Sequence, residues 1–356
     1  MRTNPPEAES RHARRATLRV IAQLAGCSRM TVSLALRHDP QVSTTTRERI
    51  QKIAREVGYQ PDATLHALMA QVRAKAPLKF RATIATLHTL DREAARKTHC
   101  YSEWLAGAAE RGAELGYAMD DLWLANWKTT PAQLEAILTT RAVRGLLLPC
   151  LANAPALPGD FHFLLARYPC ATAGCPESSL PALSGATNDG FATGTALFER
   201  ARTAGCQRIG AVVALDAGPF FDERFSSAIL AAAHREKLNA VVPTLVCGTE
   251  RQRDFQAWFE AHRPDCIITA IAEVRDWLRA LGAAVPGDVS LLSGHLESVE
   301  TDWSGTRQND RAVGAAALEL IVNQIARGER GPPRVRNRVL IESSFVPGTT
   351  LRCGTQ

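Results

Sequence analysis

The sequence predicts two architectures in one chain: an all-α helix-turn-helix headpiece at the N-terminus, then a larger α/β body built on parallel sheets. Three observations carry that expectation. Positive charge is concentrated at the front: residues 1–76 hold 13 Lys and Arg against 6 Asp and Glu, a balance of +7, whereas the 356-residue chain totals only +6. The remainder is therefore −1. Apolar residues recur at helical spacing from Leu18 to Val57. From Ala82 onward short β-prone runs alternate with helical segments, as strands joined by crossover helices do.

Residues 1–16, with Pro5 and Pro6 and no apolar period, predict a disordered basic arm whose Arg11, Arg14 and Arg15 are available to phosphate. The headpiece is expected over 17–62. Thr17 can cap a first helix that places Leu18, Ile21, Ala22 and Ala25 on one face and stops at Gly26. Ser28 can cap a short second helix, Thr31 to Leu36, with Val32 and Ala35 inward. A third helix, capped at Ser43, buries Ile50, Ile53, Ala54 and Val57 and ends at Gly58, before Tyr59 and Pro61. Three short helices with a glycine turn between the first two form the motif that presents its second helix to the major groove of DNA. A solvated basic tail and a three-helix bundle of other use remain the competing readings.

Residues 63–78 predict one more amphipathic helix or a plain linker, broken at Ala76-Pro77. In the body, strands are expected at Ala82–Leu87, Gly145–Pro149, Arg208–Ala214, Asp265–Thr269 and Val289–Leu292. Helices are expected at Trp104–Leu115, Pro131–Thr140 and Ala192–Ala204.

Several functional classes are disfavoured. No apolar run approaches the ~18 to 20 residues that cross a bilayer, and the N-terminus has no apolar signal core, which predicts a cytoplasmic protein without membrane contact. The 9 cysteines are scattered, with no CxxC pair and no zinc spacing, so no metal is expected. There is no GxSxG elbow, no GxxxxGK[ST] phosphate loop and no HExxH helix, so no catalytic residues and no cofactor are expected.

The run TLRVIAQLAGCSRMTVSLALRHDPQVSTTTRERIQKIAREVGYQPDA, residues 17–63, resembles the headpiece of the lactose/galactose repressor (LacI/GalR) family. The resemblance rests on Thr17-Leu18, AGxS at 25–28, TVS at 31–33, Val42-Ser43, TRERI at 46–50 and GYxP at 58–61. Weaker pieces follow: LAGAAERGAELGY (105–117), GLLL (145–148), NDGFATG (188–194), QRIGAVV (207–213), RPDCII (263–268), VPGDVSLL (285–292) and RAVGAAALELIV (311–322). It implies a homodimeric transcription regulator with a pseudo-palindromic double-stranded DNA operator and a small-molecule effector, with a sugar as one candidate. It also implies a body, 79–352, of two Rossmann-like lobes of periplasmic-binding-protein type. Lobe one is expected over about 80–184 plus 304–330, lobe two over about 185–303 plus 331–352.

Position by position, the resemblance implies base contacts from Arg29, Met30 and Leu34. Phosphate contacts fall to Thr17, Ser28, Thr31, Ser33, Ser43, Thr46 and Tyr59, and Leu68 is the minor-groove wedge of a hinge helix. Hydroxyls and helix N-termini suit phosphates while longer side chains reach bases, although each hydroxyl can equally be a simple cap. The implied effector cleft takes Tyr101, Arg224, Ile271 and His295. Arg224 matches a hydroxyl-clamping arginine, with a surface ion pair as the alternative, and Ser227 replaces the usual glycine. Ile271-Ala272 and His295-Leu296 stand where sugar-binding members carry Asn-Asp and Asp-Asp, so those polyol acceptors are missing. Two rival functions remain at this point: a small-molecule binding protein with no gene-regulatory role, and a sugar-metabolising α/β enzyme.

Overall fold

The computed structural model describes residues 18–36, 42–57, 80–124, 130–151, 155–174, 183–214, 219–236, 242–247, 252–297 and 302–352. The basic arm, the segment 63–78, and Thr17, Tyr59 and Leu68 lie outside them.

The headpiece comprises α1 (Leu18–Ala25), α2 (Arg29–Leu36) and α3 (Thr44–Glu56). Ile21, Ala22, Ala25, Val32, Ala35, Val42, Ile50 and Ala54 form its core, with Ile53 and Val57 packed partly buried against it. Burying eight small and branched side chains suffices to orient three short helices, none of which is long enough to be stable alone. Gly26 turns the chain between α1 and α2 at φ 61, a left-handed conformation that a side chain would strain. Ser28 then caps α2: the Thr31 amide donates to its Oγ at 3.1 Å. Ser43 does the same for α3, accepting from the Thr46 amide at 3.4 Å.

The body contains two six-stranded sheets. The chain runs β1 (Ala82–His88), α4 (Arg92–Lys97), α5 (His99–Leu115), β2 (Tyr117–Trp123), α6 (Pro131–Thr140), β3 (Val143–Cys150), α7 (His162–Arg167), β4 (Cys170–Gly174) and β5 (Ser184–Asn188). It continues through α8 (Gly190–Thr203), β6 (Ile209–Ala214), α9 (Pro219–Arg235), β7 (Leu245–Cys247), α10 (Gln252–His262), β8 (Cys266–Thr269), α11 (Val274–Ala280) and β9 (Ser290–Ser293). Last come β10 (Ser304–Arg307), α12 (Asp310–Arg327), β11 (Arg338–Ile341) and β12 (Ser344–Val346). Sheet one has the order β11-β5-β4-β3-β1-β2 and sheet two β12-β10-β9-β8-β6-β7. Every pairing in sheet one is parallel. In sheet two only β12 runs antiparallel to its neighbour.

All five expected strands are present, shifted at their ends by no more than two residues. They are the apolar central strands, each covered on both faces. The expected lobe boundaries need correction. β5 lies in sheet one, not in the second lobe, so the first crossing falls after Asn188 and not at 184. β10 lies in sheet two, so the return falls after Arg307 and not at 304, and β11 returns to sheet one, against its expected place in lobe two. The physical reason is that SGATN, SGTR and RVLI are short, polar or sheet-terminal strands without a long apolar run. The chain thus crosses between lobes three times, at 188–190, 307–310 and 341–344.

In lobe one α5 and α12 pack at backbone distance. A Cβ at Gly107 would overlap the carbonyl of Arg311, and one at Gly314 the carbonyl of Trp104. Arg311 with Glu103 and Glu110, and Arg111 with Glu319, tie the rims of the same helix pair.

Candidate nucleic-acid interface and ligand cleft

The headpiece presents the start of α2 outward. Met30 is 70% exposed and Arg29 is also exposed, because Val32 and Ala35 take the inward face of the same helix. Leu34 is partly buried and packs against the headpiece core, so a smaller part of its surface is free for contact than its position suggested. Ser28 and Thr31 hold each other, Oγ to Oγ1 at 2.9 Å, and the Ser43 hydroxyl donates to Thr46 Oγ1 at 2.9 Å. The Ser28 and Ser43 hydroxyls thus act as caps, each held in turn by the threonine three residues on, and a helix N-terminus favours an anion. The side chain of Ser33 lies outside the described residues.

An open groove of about 790 Å³ runs along this surface, lined by Arg19, Ala22, Gln23, Gly26, Cys27, Ser28 and Arg29. Sequence reasoning missed Arg19 and Gln23. Their i, i+4 spacing on the outward face of α1 was the available signal.

The C-terminal ends of both sheets face the crossings, where open α/β sheets place ligands. Asp310, the first residue of α12, is the node of this region. Its Oδ1 accepts from Trp104 Nε1 at 2.9 Å and from Asn188 Nδ2 at 3.0 Å. Gln308 donates from Nε2 to the Gly294 carbonyl at 2.9 Å, and Asn309 from Nδ2 to the Glu342 carbonyl at 2.6 Å. Thr193 and Ser343 hydroxyls lie 2.9 Å apart. Side chains thus stitch the three crossings together. The Asn188 Oδ1 and Gln308 Oε1 atoms are buried without a protein hydrogen-bond partner, two acceptors that a donor-bearing molecule would satisfy.

The expected cleft residues separate into two groups. Tyr101 is fully buried in the core of lobe one, its hydroxyl 2.9 Å from His88 Nδ1, because residues 101, 104 and 108 form the inward stripe of α5. Ile271 is 5% exposed and belongs to the core of lobe two, its amide turned onto Thr269 Oγ1. Both side chains occupy core positions. His295 lies within electrostatic reach of Asp310: burial pushes its pKa down, against the opposing pull of Asp310 and Glu297. Cys100, beside Tyr101, feels the same two carboxylates, and burial with Asp310 pushes its thiol up to about 12. Arg224 is exposed on α9, next to Phe225, whose ring fills the space a side chain at Gly294 would occupy.

A second cluster escaped the sequence reading. His88, with no exposed surface, stacks on Trp123 at 3.8 Å and 6°, and its Nε2 lies 3.1 Å from Asp121 Oδ1. That hydrogen bond holds the Asp121 carboxyl below its ordinary range. Among the described residues no group of three or more His, Cys, Asp or Glu is placed to hold a metal ion. No described helix is long and apolar enough to cross a membrane.

A helix-turn-helix reader joined to a two-lobed ligand-binding body defines a class: DNA-binding regulators whose body senses a small molecule. Residues 17–62 match the bacterial regulatory proteins of the lacI family, and residues 198–351 match the periplasmic binding protein-like domain. The chain therefore joins a headpiece of the lacI type, over 17–62, to a periplasmic binding protein-like body, and the relatives it resembles are transcription regulators. It is 27% identical over 377 residues to the HTH-type transcriptional regulator IpsA of Corynebacterium glutamicum, covering 94% of this chain and 97% of that one. It is 26% identical over 367 residues to the sucrose operon repressor of Escherichia coli, covering 94% and 88%. Among solved structures, a transcriptional regulator CelR–cellobiose complex matches with TM-score 0.56 at 21% identity, covering 94% of this chain and 100% of that chain. The lac repressor dimer bound to operator and the anti-inducer ONPF matches with TM-score 0.55 at 16% identity, covering 95% and 100%. At such identities the likeness establishes the fold.

Proposed function

We propose that this chain is a cytoplasmic homodimeric repressor that binds a pseudo-palindromic operator and is controlled by a small polar effector held between its lobes. The observation that carries the reading is the exposed start of α2: Arg29 and Met30 project from a Ser28-capped helix beside a groove that adds Arg19 and Gln23. A major groove accepts such a helix, and two copies reading adjacent half-sites give the site its two-fold symmetry.

In this reading the headpiece spans 17–62, the hinge and linker 63–78, and the sensor 79–352. Arg29, Met30 and the free part of Leu34 read bases. Thr17, Ser28, Thr31, Ser33, Ser43, Thr46 and Tyr59 position phosphates, and Leu68 enters the minor groove as an apolar wedge that bends the duplex. Arg224 and His295 are the effector contacts carried over from the sequence. To them we add Asn188, Gln308 and Asp310, whose acceptor oxygens suit a hydroxyl-rich ligand such as a sugar. Two relatives support that class by their names, the sucrose operon repressor and the CelR–cellobiose complex. Control requires the effector to bind one arrangement of the lobes more tightly than the other.

The test is selection of binding sites from a random duplex library with full-length protein, followed by titration of the selected site in the presence of mono- and disaccharides. A two-fold symmetric consensus, with affinity altered by one sugar, is expected. Recovery of no enriched sequence would overturn the operator reading, and indifference to every sugar would remove the effector class.

A further inference from the structure

Apart from the headpiece, positive charge gathers in one other place. The segment 327–338, RGERGPPRVRNR, carries five arginines and one glutamate, a balance of +4 on a body whose total is −1. It connects α12 to β11 and lies across one edge of sheet one. The Gly331 amide donates to the Tyr168 carbonyl at 3.2 Å, just before β4. Asn337 binds the start of β5 through its amide to Ser184 Oγ at 3.1 Å and through its carbonyl to the Gly185 amide at 3.0 Å. The loop is therefore fixed to the sheet, and Pro332-Pro333 stiffens it further. Arg330, Arg334 and Arg336 are exposed, and Val335 between them is 75% exposed.

Because every pairing in sheet one is parallel, this edge holds the N-terminal ends of all six strands. It is also the edge where the chain enters the body at Phe80, just before β1. At the usual strand spacing, β11 stands about 19 Å from β1, four strands away. Arg81, immediately before β1, and Arg144, at the start of β3, add two exposed cations to the same edge. Among the described residues none of Arg81, Arg144, Arg330, Arg334 and Arg336 takes part in an ion pair. The neighbouring acids, by contrast, are paired: Asp120 with Arg141, Glu135 with Arg167, Glu329 with Arg327. Among the described residues, local acids thus leave the five cations uncompensated.

We infer that this edge of the sensor is a second, sequence-independent DNA contact that engages phosphates flanking the operator. The inference rests on the operator-binding reading and goes beyond the headpiece. Tethered to a headpiece seated on its site, the sensor meets flanking duplex at high effective concentration, so a patch too weak to bind alone adds to affinity. Its contribution follows counterion release: each phosphate neutralised steepens the salt dependence by about 0.9 in log–log slope.

The experiment titrates full-length protein, at several NaCl concentrations, onto two labelled duplexes carrying the same selected operator. One duplex ends at the half-sites, about 20 bp, and the other extends about 15 bp further on each side. Wild type binds the longer duplex on the order of tenfold more tightly near 0.1 M salt, with a steeper slope. The triple variant R330A/R334A/R336A keeps the wild-type affinity for the short duplex and loses the advantage of the long one, and the corresponding Arg→Lys triple restores most of it. Unchanged thermal midpoints exclude misfolding as the cause. If the Ala triple retains the wild-type preference for the long duplex, the inference is wrong. Indifference of wild type to duplex length also overturns it, and would turn the patch toward another acidic macromolecule. Failure of wild type to bind either duplex would instead overturn the operator reading itself.

Discussion

Trp104 and Asp310, 206 residues apart, meet through a 2.9 Å hydrogen bond from the indole N–H to Oδ1, buried where the chain passes between the lobes. The same oxygen accepts from Asn188. Asp310→Ala would leave two donors without an acceptor, and each orphaned group costs about 1–3 kcal/mol. We expect denaturant unfolding of the full chain to register a loss of about 2–4 kcal/mol. Operator affinity without effector should change little, while the response to effector should fall. Wild-type stability in the variant would show that water replaces the carboxylate without cost.

Arg29 and Leu34 make a separable pair. A guanidinium can pair bidentately with guanine O6 and N7, whereas Leu34 offers only van der Waals surface, best matched to a thymine methyl. Arg29→Ala should cost about 1–3 kcal/mol on the best site and relax preference at one base pair per half-site. Leu34→Ala should cost less in affinity, but it also loosens the headpiece, since part of that side chain packs on the core. Half-site selection profiles for the three proteins check both expectations. A uniform loss across sequences for Arg29→Ala would make it a phosphate contact.

The contact between α5 and α12 depends on Gly107 and Gly314. Gly314→Val sets a branched side chain against the Trp104 carbonyl, so the helices must separate. A destabilisation of about 3 kcal/mol is expected from such overpacking. The thermal midpoint of the variant is the readout, and an unchanged midpoint would mean that the helices slide apart freely.

Two groups set a pH dependence of one sign. Burial depresses His295 below the ~6.5 of an unfolded histidine. The unfolded chain therefore binds a proton that the folded chain refuses, and stability falls as pH drops below about 6.5. Asp121, depressed by His88, contributes stability above about 4 that is lost as pH falls through its lowered folded value. Midpoints measured from pH 7.5 to 5.5 should decline, and His295→Gln should flatten that decline. An identical slope in the variant would assign the effect to other histidines.

The headpiece was almost fully legible because its information is local: Gly26, Ser28, Ser43 and the apolar stripe act within one or two turns of themselves. The central strands were legible for the same reason, as runs such as GLLL and IGAVV need no partner to declare themselves. The lobe boundaries were not, because membership of β5, β10 and β11 is decided by which sheet offers a free edge, a property of the folded body. The burial of Tyr101 and Ile271 was not legible, because their positions relative to family landmarks carry no information on which way a helix face or a turn points. Asp310 was invisible as a node, since both its donors lie more than a hundred residues away in sequence.

The backbone contact of α5 with α12 also has a mechanical side. Eighteen residues give α12 a length of about 27 Å, from Asp310 at the crossings to Arg327 at the opposite edge of the sheet. Locked to α5, the helix cannot bend locally and turns with the whole lobe as a rigid arm. A rotation of about 3° about its start sweeps its far end by roughly 1.4 Å, on the scale of a hydrogen bond made or broken. A molecule that closes the lobes on Asp310 therefore moves the arginine-rich edge without touching it.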